Sequence, residues 1–438
     1  MTKVTAAARV SWLLRLVWPT RSSVPQATAA LWCVLGSINL VAAVADAIAR
    51  PYNQEDLTEL LSWLGHWSVG AGSPYTSSTL AVDYPPYVLV VLRWIGWIPA
   101  EHIYWIYPLI NGALAAAACW QLTQWLFEVK ERPLAARDAA AIAGMMLATR
   151  AIRFSIRWGQ TTPFALLLFA VSMRLARRRP VLAGLLFAVA SYKLNLAAGV
   201  GTLLALSGAW SVLAVAGLAA FGLSCAFAAS IGQSVFGVLN DFVHSLTSIY
   251  GGADFLPGAT GVRTLLMNLI GDYDIVRIVH PLVAAFLLIS IALCAYRARH
   301  TARGRALSAA TALVWSLVSL THQRYSALLM LPALWLLLPK GDDADDHRPF
   351  PWVLPTAALL YLVRAFPISL EEQMVRLLGR GNVAAEQAVT SGIHLVNEHG
   401  LRVIAVVLLI GALRSLLTSA GLRQPAFPPP ASVRESSS

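Results

Sequence analysis

Two carboxylates that could do chemistry stand at opposite ends of a polar segment between two apolar runs. Asp56 follows the first apolar run, and Asp83 directly precedes the sequence Tyr84-Pro-Pro. A carboxylate can remove the proton of a hydroxyl group, which makes Asp56 a candidate general base. Most carboxylates of an external loop are only solvated, and Tyr84 could simply anchor the chain at the lipid headgroups. Position alone therefore leaves both interpretations open.

Basic side chains follow farther along, close to segments that should lie in hydrocarbon. Arg150, Arg153 and Arg157 recur at helical spacing just before Trp-Gly-Gln160, and Lys193 separates two apolar runs. Arginine binds phosphates and carboxylates through paired hydrogen bonds, so the stripe indicates an anion. Lys193 could equally extend its charged end to the membrane surface, and the two interpretations are evenly balanced.

A late turn between two apolar runs holds His322 and Arg324, within Thr-His-Gln-Arg-Tyr. A lone histidine in such a chain is often a hydrogen-bonded core residue. The neighbouring Gln, Arg and Tyr favour a ligand-binding turn about as strongly. No two histidines have the HxxxH spacing, so we do not expect a zinc site.

These side chains must be positioned by a very apolar chain. Its 438 residues are 57% hydrophobic and 13% charged, with 15 Trp and a mean hydropathy of +0.63; soluble proteins carry about 25% charged residues. This composition excludes soluble, low-complexity and nucleic-acid-binding classes and predicts a polytopic membrane protein. The net charge of +11 fits basic cytoplasmic loops. The four cysteines lie far apart, without metal or disulfide spacing.

Apolar runs predict an all-α polytopic membrane protein with about 12 transmembrane helices (11–13), each needing about 20 apolar residues. A shorter run over 86–98, interrupted by Arg93, is interpreted either as a further span or as a helix in the interface. The runs are roughly 27–49, 103–127, 138–155, 159–175, 180–193, 196–209, 211–230, 276–297, 306–320, 325–339, 351–369 and 400–419.

Clustered arginines predict the orientation. Residues 174–179 and 297–305 carry four arginines each, and the N-terminal arm carries four basic residues. Such clusters mark cytoplasmic loops. With 12 crossings all three are cytoplasmic, and Asp56, Lys193 and His322 lie outside. The expected organisation is a cytoplasmic arm over 1–26, a transmembrane domain over 27–419 with an amphipathic first external loop over 50–84, and a disordered cytoplasmic tail over 420–438.

The order of these motifs resembles the GT-C glycosyltransferases. The resemblance rests on Asp56 after the first helix, the loop closing in Tyr84-Pro-Pro, then Gly-Gln160, the isolated Lys193 and the turn with His322. The chain is similar to actinobacterial polyprenol-phosphate-mannose-dependent α-mannosyltransferases, which include enzymes that elongate phosphatidylinositol mannosides. The similarity covers most of residues 56–338.

The resemblance implies a transferase that moves mannose, with inversion, from polyprenyl-phosphate-β-mannose to a hydroxyl of a phosphoglycolipid. Phosphatidylinositol mannoside, extended in α-1,2 linkage, is the acceptor it suggests. Asp56 would be the catalytic base, with Asp83 a less suitable substitute. Many relatives carry a second histidine where this chain has Gln323. The residues expected to bind substrate are His322, Lys193, Gln160, Arg157, Arg324, Tyr84 and Asp83, with Arg153 a further candidate for the phosphate.

The resemblance also implies that neither a metal, another cofactor nor a nucleotide sugar takes part. The expected partners are the lipid-linked donor, a lipid acceptor and the bilayer, and no nucleic acid. The protein would lie in the plasma membrane with its active site on the extracytoplasmic side.

Alternative functions remain at this stage. The same fold could transfer arabinofuranose or glucose from a polyprenyl phosphate, and the sequence does not fix the sugar. A lipid-linked-sugar flippase or transporter would predict charges within helices and symmetric halves, and the sequence shows neither pattern. A non-catalytic membrane subunit would not need Asp56 and the outer cations.

Overall fold

The computed structural model describes residues 26–68, 73–77, 82–250, 263, 266–267, 270–319, 328–337, 409–413 and 416–417. Every regular element in these ranges is a helix, which confirms the predicted all-α class. The predicted arm, apart from Gln26, and the predicted tail lie outside the described residues. The helices are α1 (Gln26–Ala49), α2 (Glu55–Ser68), α3 (Pro74–Ser77), α4 (Pro86–Leu92), α5 (Ala100–Val129), α6 (Ala136–Leu147), α7 (Arg150–Arg157), α8 (Thr162–Leu175), α9 (Pro180–Ala190), α10 (Leu194–Leu206), α11 (Trp210–Ser230), α12 (Val235–Tyr250), α13 (Tyr273–Ala298), α14 (Ala302–Ser319) and α15 (Met330–Leu337).

Four of these helices, α1, α5, α11 and α13, are long and apolar enough to cross a bilayer. The pair α6 and α7 would make a fifth span, bent by 56° at its break. Helices α8, α9 and α10 are apolar but have only 14, 11 and 13 residues. Most of the two last predicted spans lies outside the described residues. The chain is thus a multi-pass membrane protein, and the count of about 12 stays a prediction.

The apolar run over 138–155 is not one straight helix, because the chain breaks between α6 and α7. Thr149 caps α7, its hydroxyl accepting from the amide of Ile152. The side-chain amide of Asn39, from α1, donates to the carbonyls of Leu147 at 2.7 Å and Thr149 at 3.1 Å. A carbonyl left unpaired in hydrocarbon costs several kcal/mol, so Asn39 makes the break tolerable.

Two glycines let α1 and α6 approach closely enough for this contact. A Cβ on Gly36 would lie 2.5 Å from the carbonyl oxygen of Gly144, and one on Gly144 would lie 2.6 Å from that of Trp32. Small residues are typical where membrane helices meet backbone to backbone. Asn39 lies one turn beyond this crossing and thereby reaches the break.

The segment 86–98 does not cross the membrane by itself. Helix α4 has seven residues and is continued by a five-residue 3₁₀ turn, Arg93–Trp97. Together they rise about 20 Å, less than the hydrocarbon thickness of about 30 Å. The Arg93 guanidinium lies 4.6 Å from the ring centre of Trp67 in α2. This segment therefore packs beneath the first external loop.

The arginine-rich segments lie together at one end of the bundle. Arg174, at the end of α8, donates to Glu128 at the end of α5 at 2.9 Å. Arg305 pairs with Glu131, and Arg303 donates to the carbonyl of Leu337 at 3.3 Å. Gln160 lies at the opposite end of α8. The arginine clusters over 174–179 and 297–305 thus lie at the end of the bundle opposite Gln160, and their assignment to the cytoplasm stays a prediction.

Candidate active site

The turn that carries Lys193 lies below the end of the bundle at which α11 ends. Helices α9 and α11 touch where Gly184 meets Val215, with only 2.6 Å between a Cβ on Gly184 and that of Val215. Beyond this contact, α11 continues to Ser230, which is about six residues farther than the chain continues from Gly184 to Lys193. Six residues correspond to about 9 Å of helix rise. Trp67, near the end of α2, donates to Ser230 at the end of α11 at 2.9 Å. Helix α2 therefore runs from its contact with the end of α11 down into a recess beside this turn.

A chain of hydrogen bonds crosses this recess. The Gln160 side-chain nitrogen donates to the Asp56 carboxylate, and the Lys193 ammonium donates to the Gln160 side-chain oxygen at 2.8 Å. The Gln160 residue is only 2% exposed. The structure thus brings together three residues that the sequence analysis selected and that lie more than 30 positions apart.

Gly159 allows α2 to begin against this turn. Its φ is +68°, which favours glycine, and an added Cβ would lie 2.7 Å from the Cβ of Leu57. The amide of Asp56 donates to the carbonyl of Trp158 at 3.2 Å. The Gly-Gln pair noted in the sequence therefore has two roles, since Gly159 makes room for Asp56 and Gln160 binds its carboxylate.

The backbone of Gln160 is anchored on both sides. Its amide donates to the carbonyl of Ser155 at 2.8 Å, and its carbonyl accepts from the side chain of Asn111 in α5 at 2.7 Å. The Thr162 hydroxyl is 3.4 Å from the Gln160 side-chain oxygen. These contacts fix the position of the amide between Asp56 and Lys193.

Aromatic rings form the wall beneath Lys193. The Tyr84 ring lies 5.2 Å from that of Tyr192 and 5.3 Å from that of Trp63. The Lys193 ammonium lies 5.3 Å and 5.9 Å from the ring centres of Tyr84 and Tyr192. The Tyr84 hydroxyl is 2.8 Å from that of Thr161. Aromatic faces attract cations, so Tyr84, predicted to bind substrate, here supports the lysine.

Asp83 lies at the edge of the same recess. Its segment is held by the Ser245 hydroxyl, which donates to the carbonyl of Val82 at 2.8 Å, and by the Tyr75 hydroxyl, which donates to the carbonyl of Tyr84 at 2.7 Å. The charge of Asp83 raises the pKa of Asp56. Asp83 thus contributes negative potential to the site.

Burial raises the pKa of Asp56 from 3.8 to about 6. The Lys193 charge and the hydrogen bond from Gln160 oppose this rise, whereas the charges of Asp83 and Glu55 add to it. A carboxylate with a pKa near 6 is a stronger base than an exposed one and is still mostly ionised at neutral pH. Asp56 therefore has the basicity that proton removal from a hydroxyl requires.

Glu59 belongs to the site, and the sequence analysis did not select it. It follows Asp56 by three residues, so both lie on one face of α2. Burial, followed by the charges of Asp56 and Asp83, raises the pKa of Glu59 to about 7. The three-residue spacing on an amphipathic helix was the signal that could have identified it.

The arginine stripe forms helix α7, beside Asp56. Arg157, predicted to bind phosphate, has its Nε 3.5 Å from the Asp46 carboxylate of α1, which also pairs with Arg50 at 3.5 Å. The Arg150 guanidinium lies 5.4 Å from the ring centre of Phe154. The arginine stripe was expected to bind an anion, and Asp46 supplies part of that negative charge from within the protein.

His322 and Arg324 lie outside the described residues, so their roles stay predictions. The described chain stops just before them, where the His280 ring nitrogen of α13 is 2.7 Å from the carbonyl of Ser319 at the end of α14. Among the residues that the structure describes, His, Cys, Asp and Glu side chains do not gather in threes as a metal site requires.

The sequence model of glycosyltransferase family 87, a GT-C-type family, matches residues 82–332, more than half of the chain. The match includes Gln160, Lys193 and His322, whereas Asp56 precedes it and enters the site through the geometry described above. No curated protein and no solved structure matches the chain. The chain belongs to glycosyltransferase family 87 and is a membrane glycosyltransferase.

Proposed function

We propose that the protein is an inverting α-mannosyltransferase that uses polyprenyl-phosphate-β-mannose as donor. Its acceptor is a hydroxyl of a phosphoglycolipid such as phosphatidylinositol mannoside, extended in α-1,2 linkage. The observation that carries the proposal is the half-buried pair of Asp56 and Lys193, joined through Gln160, in a chain of this family. One group is a base and the other a cation, and this transfer needs both.

The reaction uses the two charges at opposite ends of the transferred sugar. Asp56 takes the proton of the acceptor hydroxyl as its oxygen attacks C1 of mannose from the face opposite the phosphate. The bond between C1 and the phosphate oxygen breaks, and its electron pair leaves with the phosphate, where Lys193 stabilises the growing charge. A single displacement converts the β linkage to α. Because phosphate leaves readily, the paired carboxylates of glycosidases are not needed.

The depth of the site supports a lipid-linked donor. Lys193 lies about 9 Å of helix rise below the end of α11 at Ser230, hence within the thickness of the membrane. A polyprenyl chain stays in the bilayer while its phosphate reaches this level. A polar residue at such depth is costly unless it pairs or faces a wet cavity, which favours a functional role for Lys193.

The arginines of α7 support an acceptor that itself carries phosphate. Arg150, Arg153 and Arg157 belong to helix α7, which ends at the turn whose Trp158 carbonyl accepts from the Asp56 amide, and Arg157 pairs with Asp46. Arginine on the outer side of a membrane runs against the usual distribution. An anionic headgroup held there would bring its sugar hydroxyl towards Asp56.

The distribution of charge supports an extracytoplasmic site in the plasma membrane. The clusters of which Arg174 and Arg303 are part lie at the end of the bundle opposite Gln160. Such clusters mark the cytoplasmic side, so Asp56 and Lys193 face outward.

The proposal is tested by incubating the purified protein with radiolabelled polyprenyl-phosphate-mannose and a panel of lipid acceptors. We expect label in a phosphatidylinositol mannoside and its release by a mannosidase specific for α-1,2 bonds. Parallel reactions contain the arabinofuranose and glucose donors, and transfer from one of these alone would contradict the choice of mannose. Donor crossing sealed vesicles without any product would instead identify a flippase.

Turnover should rise with pH through about pH 6, because Asp56 must lose its proton to act as base and its pKa is about 6. Glu59, with a pKa of about 7, titrates next to it, so the acid limb should contain two coupled steps. Glu59→Gln should leave one step near pH 6. The profile of kcat/KM against pH is measured with Glu131→Gln as control, since Glu131 is an exposed carboxylate at the opposite end of the bundle. An acid limb near pH 4 would show that an ordinary carboxylate is the base.

A further inference from the structure

We propose that Gln160 is a positioning residue whose side-chain amide sets Asp56 and Lys193 relative to each other, and that it does not contact the substrate. The inference rests on the function proposed above for those two charges. It replaces the expectation that Gln160 binds substrate directly.

Both ends of the Gln160 amide are used by protein groups. The nitrogen donates to Asp56 and the oxygen accepts from Lys193 at 2.8 Å. A primary amide is suited to this position because it carries a hydrogen-bond donor and a hydrogen-bond acceptor on the same carbon. A carboxylate needs the donor and an ammonium needs the acceptor, so the two partners dictate which way the amide points. Little of the residue is left for a sugar, since it is 2% exposed.

The backbone around Gln160 makes the amide a rigid support. The backbone N–H of Gln160 donates to the carbonyl of Ser155 at 2.8 Å, and its backbone carbonyl accepts from the Asn111 side chain at 2.7 Å. The carbonyl of Trp158 accepts from the Asp56 amide at 3.2 Å, so the same turn holds Asp56 by its backbone and by its side chain. Catalytic groups work when neighbours that do not react lock their orientation. Gln160 occupies that place for both charges.

The cation proposed to bind the donor phosphate, Lys193, and the proposed base, Asp56, are thereby linked through the side-chain amide of Gln160. The charged groups that face Asp56 are Glu55 and Glu59 on α2, Asp83 and Lys193. The hydrogen bond from Gln160 stabilises the ionised carboxylate and lowers its pKa. Without the hydrogen bond from Gln160, the pKa of Asp56 should rise. The Asp56 carboxylate oxygen should also lose the fixed orientation that it needs to meet the hydroxyl of the lipid acceptor.

The test compares Gln160→Met, which keeps the length of the side chain and removes both polar ends, with Gln124→Met. Gln124 accepts from Arg174 at the opposite end of the bundle, so the control makes the same chemical change away from the site. We expect kcat to fall on the order of 10²-fold in Gln160→Met, the cost of a small misplacement. The acceptor KM should stay near that of the wild type, and the acid limb of the pH profile should move upward.

A second readout needs no substrate. Infrared titration of the carboxyl groups, with Asp56→Asn used to identify the Asp56 band, should place its midpoint higher in Gln160→Met than in the wild type. Gln160→Leu also loses the donor to Asp56 and adds no charge, so it should move the midpoint the same way and serves if the methionine variant does not fold.

An unmoved or lowered midpoint, or a loss of kcat no larger than in Gln124→Met, would overturn the positioning role. A raised midpoint in a protein that transfers no mannose would leave that role standing and refute the proposed function instead. The two conclusions can therefore fail separately.

Discussion

Asp56→Asn should fold and bind donor, yet lose transfer by a factor on the order of 10² to 10⁴, the range expected when a general base is removed. Asparagine has the shape of aspartate and still offers an oxygen to the Gln160 amide, so the hydrogen-bonded chain can persist. What disappears is the capacity to take a proton. Initial rates of mannose transfer measure the loss, and exposed Glu55→Gln on the same helix should keep most of the activity.

Thermal unfolding should separate this effect from misfolding. Burial raises the folded pKa of Asp56 to about 6, above its ordinary value, so ionisation disfavours the folded state. That cost is absent at about pH 4 and grows as pH rises through about 6. Asp56→Asn should therefore melt at or above the wild-type temperature near pH 8, with the difference vanishing in acid. A stable Asp56→Asn protein with wild-type turnover would exclude Asp56 as the base.

Long apolar runs predicted the helices that cross the membrane to within a few residues. The run over 27–49 became α1 (Gln26–Ala49), and that over 211–230 became α11 (Trp210–Ser230). Such helices are predictable because their boundaries depend on local hydropathy. The break before Arg150 was not predictable, since it depends on Asn39 from a helix more than 100 residues earlier.

Amphipathic helices outside the membrane were the main omission. Residues 231–275 hold none of the predicted apolar runs, yet part of this segment is helix α12 (Val235–Tyr250). Its Ser245 binds Val82, the residue before Asp83. Half-buried helices of this kind lack a long apolar run, so their role becomes visible only when the partner surface is known.

The candidate site was predictable where an isolated charged residue interrupts an apolar stretch, because such a placement is unfavourable without a function. Lys193 was identified in this way, whereas the selection of Asp56 and Gln160 depended on the resemblance. Their connection was not predictable, because the hydrogen bond between Asp56 and Gln160 spans 104 residues. The ion pair between Asp46 and Arg157 is equally distant in sequence and was missed for the same reason.

Lys193→Met should lower kcat on the order of 10²-fold, the typical cost of removing one group that stabilises charge in a transition state. Negative charge on the leaving phosphate grows as the glycosidic bond breaks, so the loss should exceed any rise in donor KM. The acid limb should also move to higher pH, because the Lys193 charge lowers the pKa of Asp56. Transfer rates over a range of donor concentration and pH measure all three effects.

A lysine that merely extends to the membrane surface would give a different result. Its removal would leave turnover and pH profile unchanged, with at most a small effect on melting. Arg178→Met, in the exposed arginine cluster after α8, supplies the matched control, since it removes a cation far from the site. His322→Ala is expected to lower turnover as Lys193→Met does. If both variants transfer mannose at the wild-type rate, the donor phosphate binds elsewhere, and the arginines of α7 beside Asp56 become the next cations to replace.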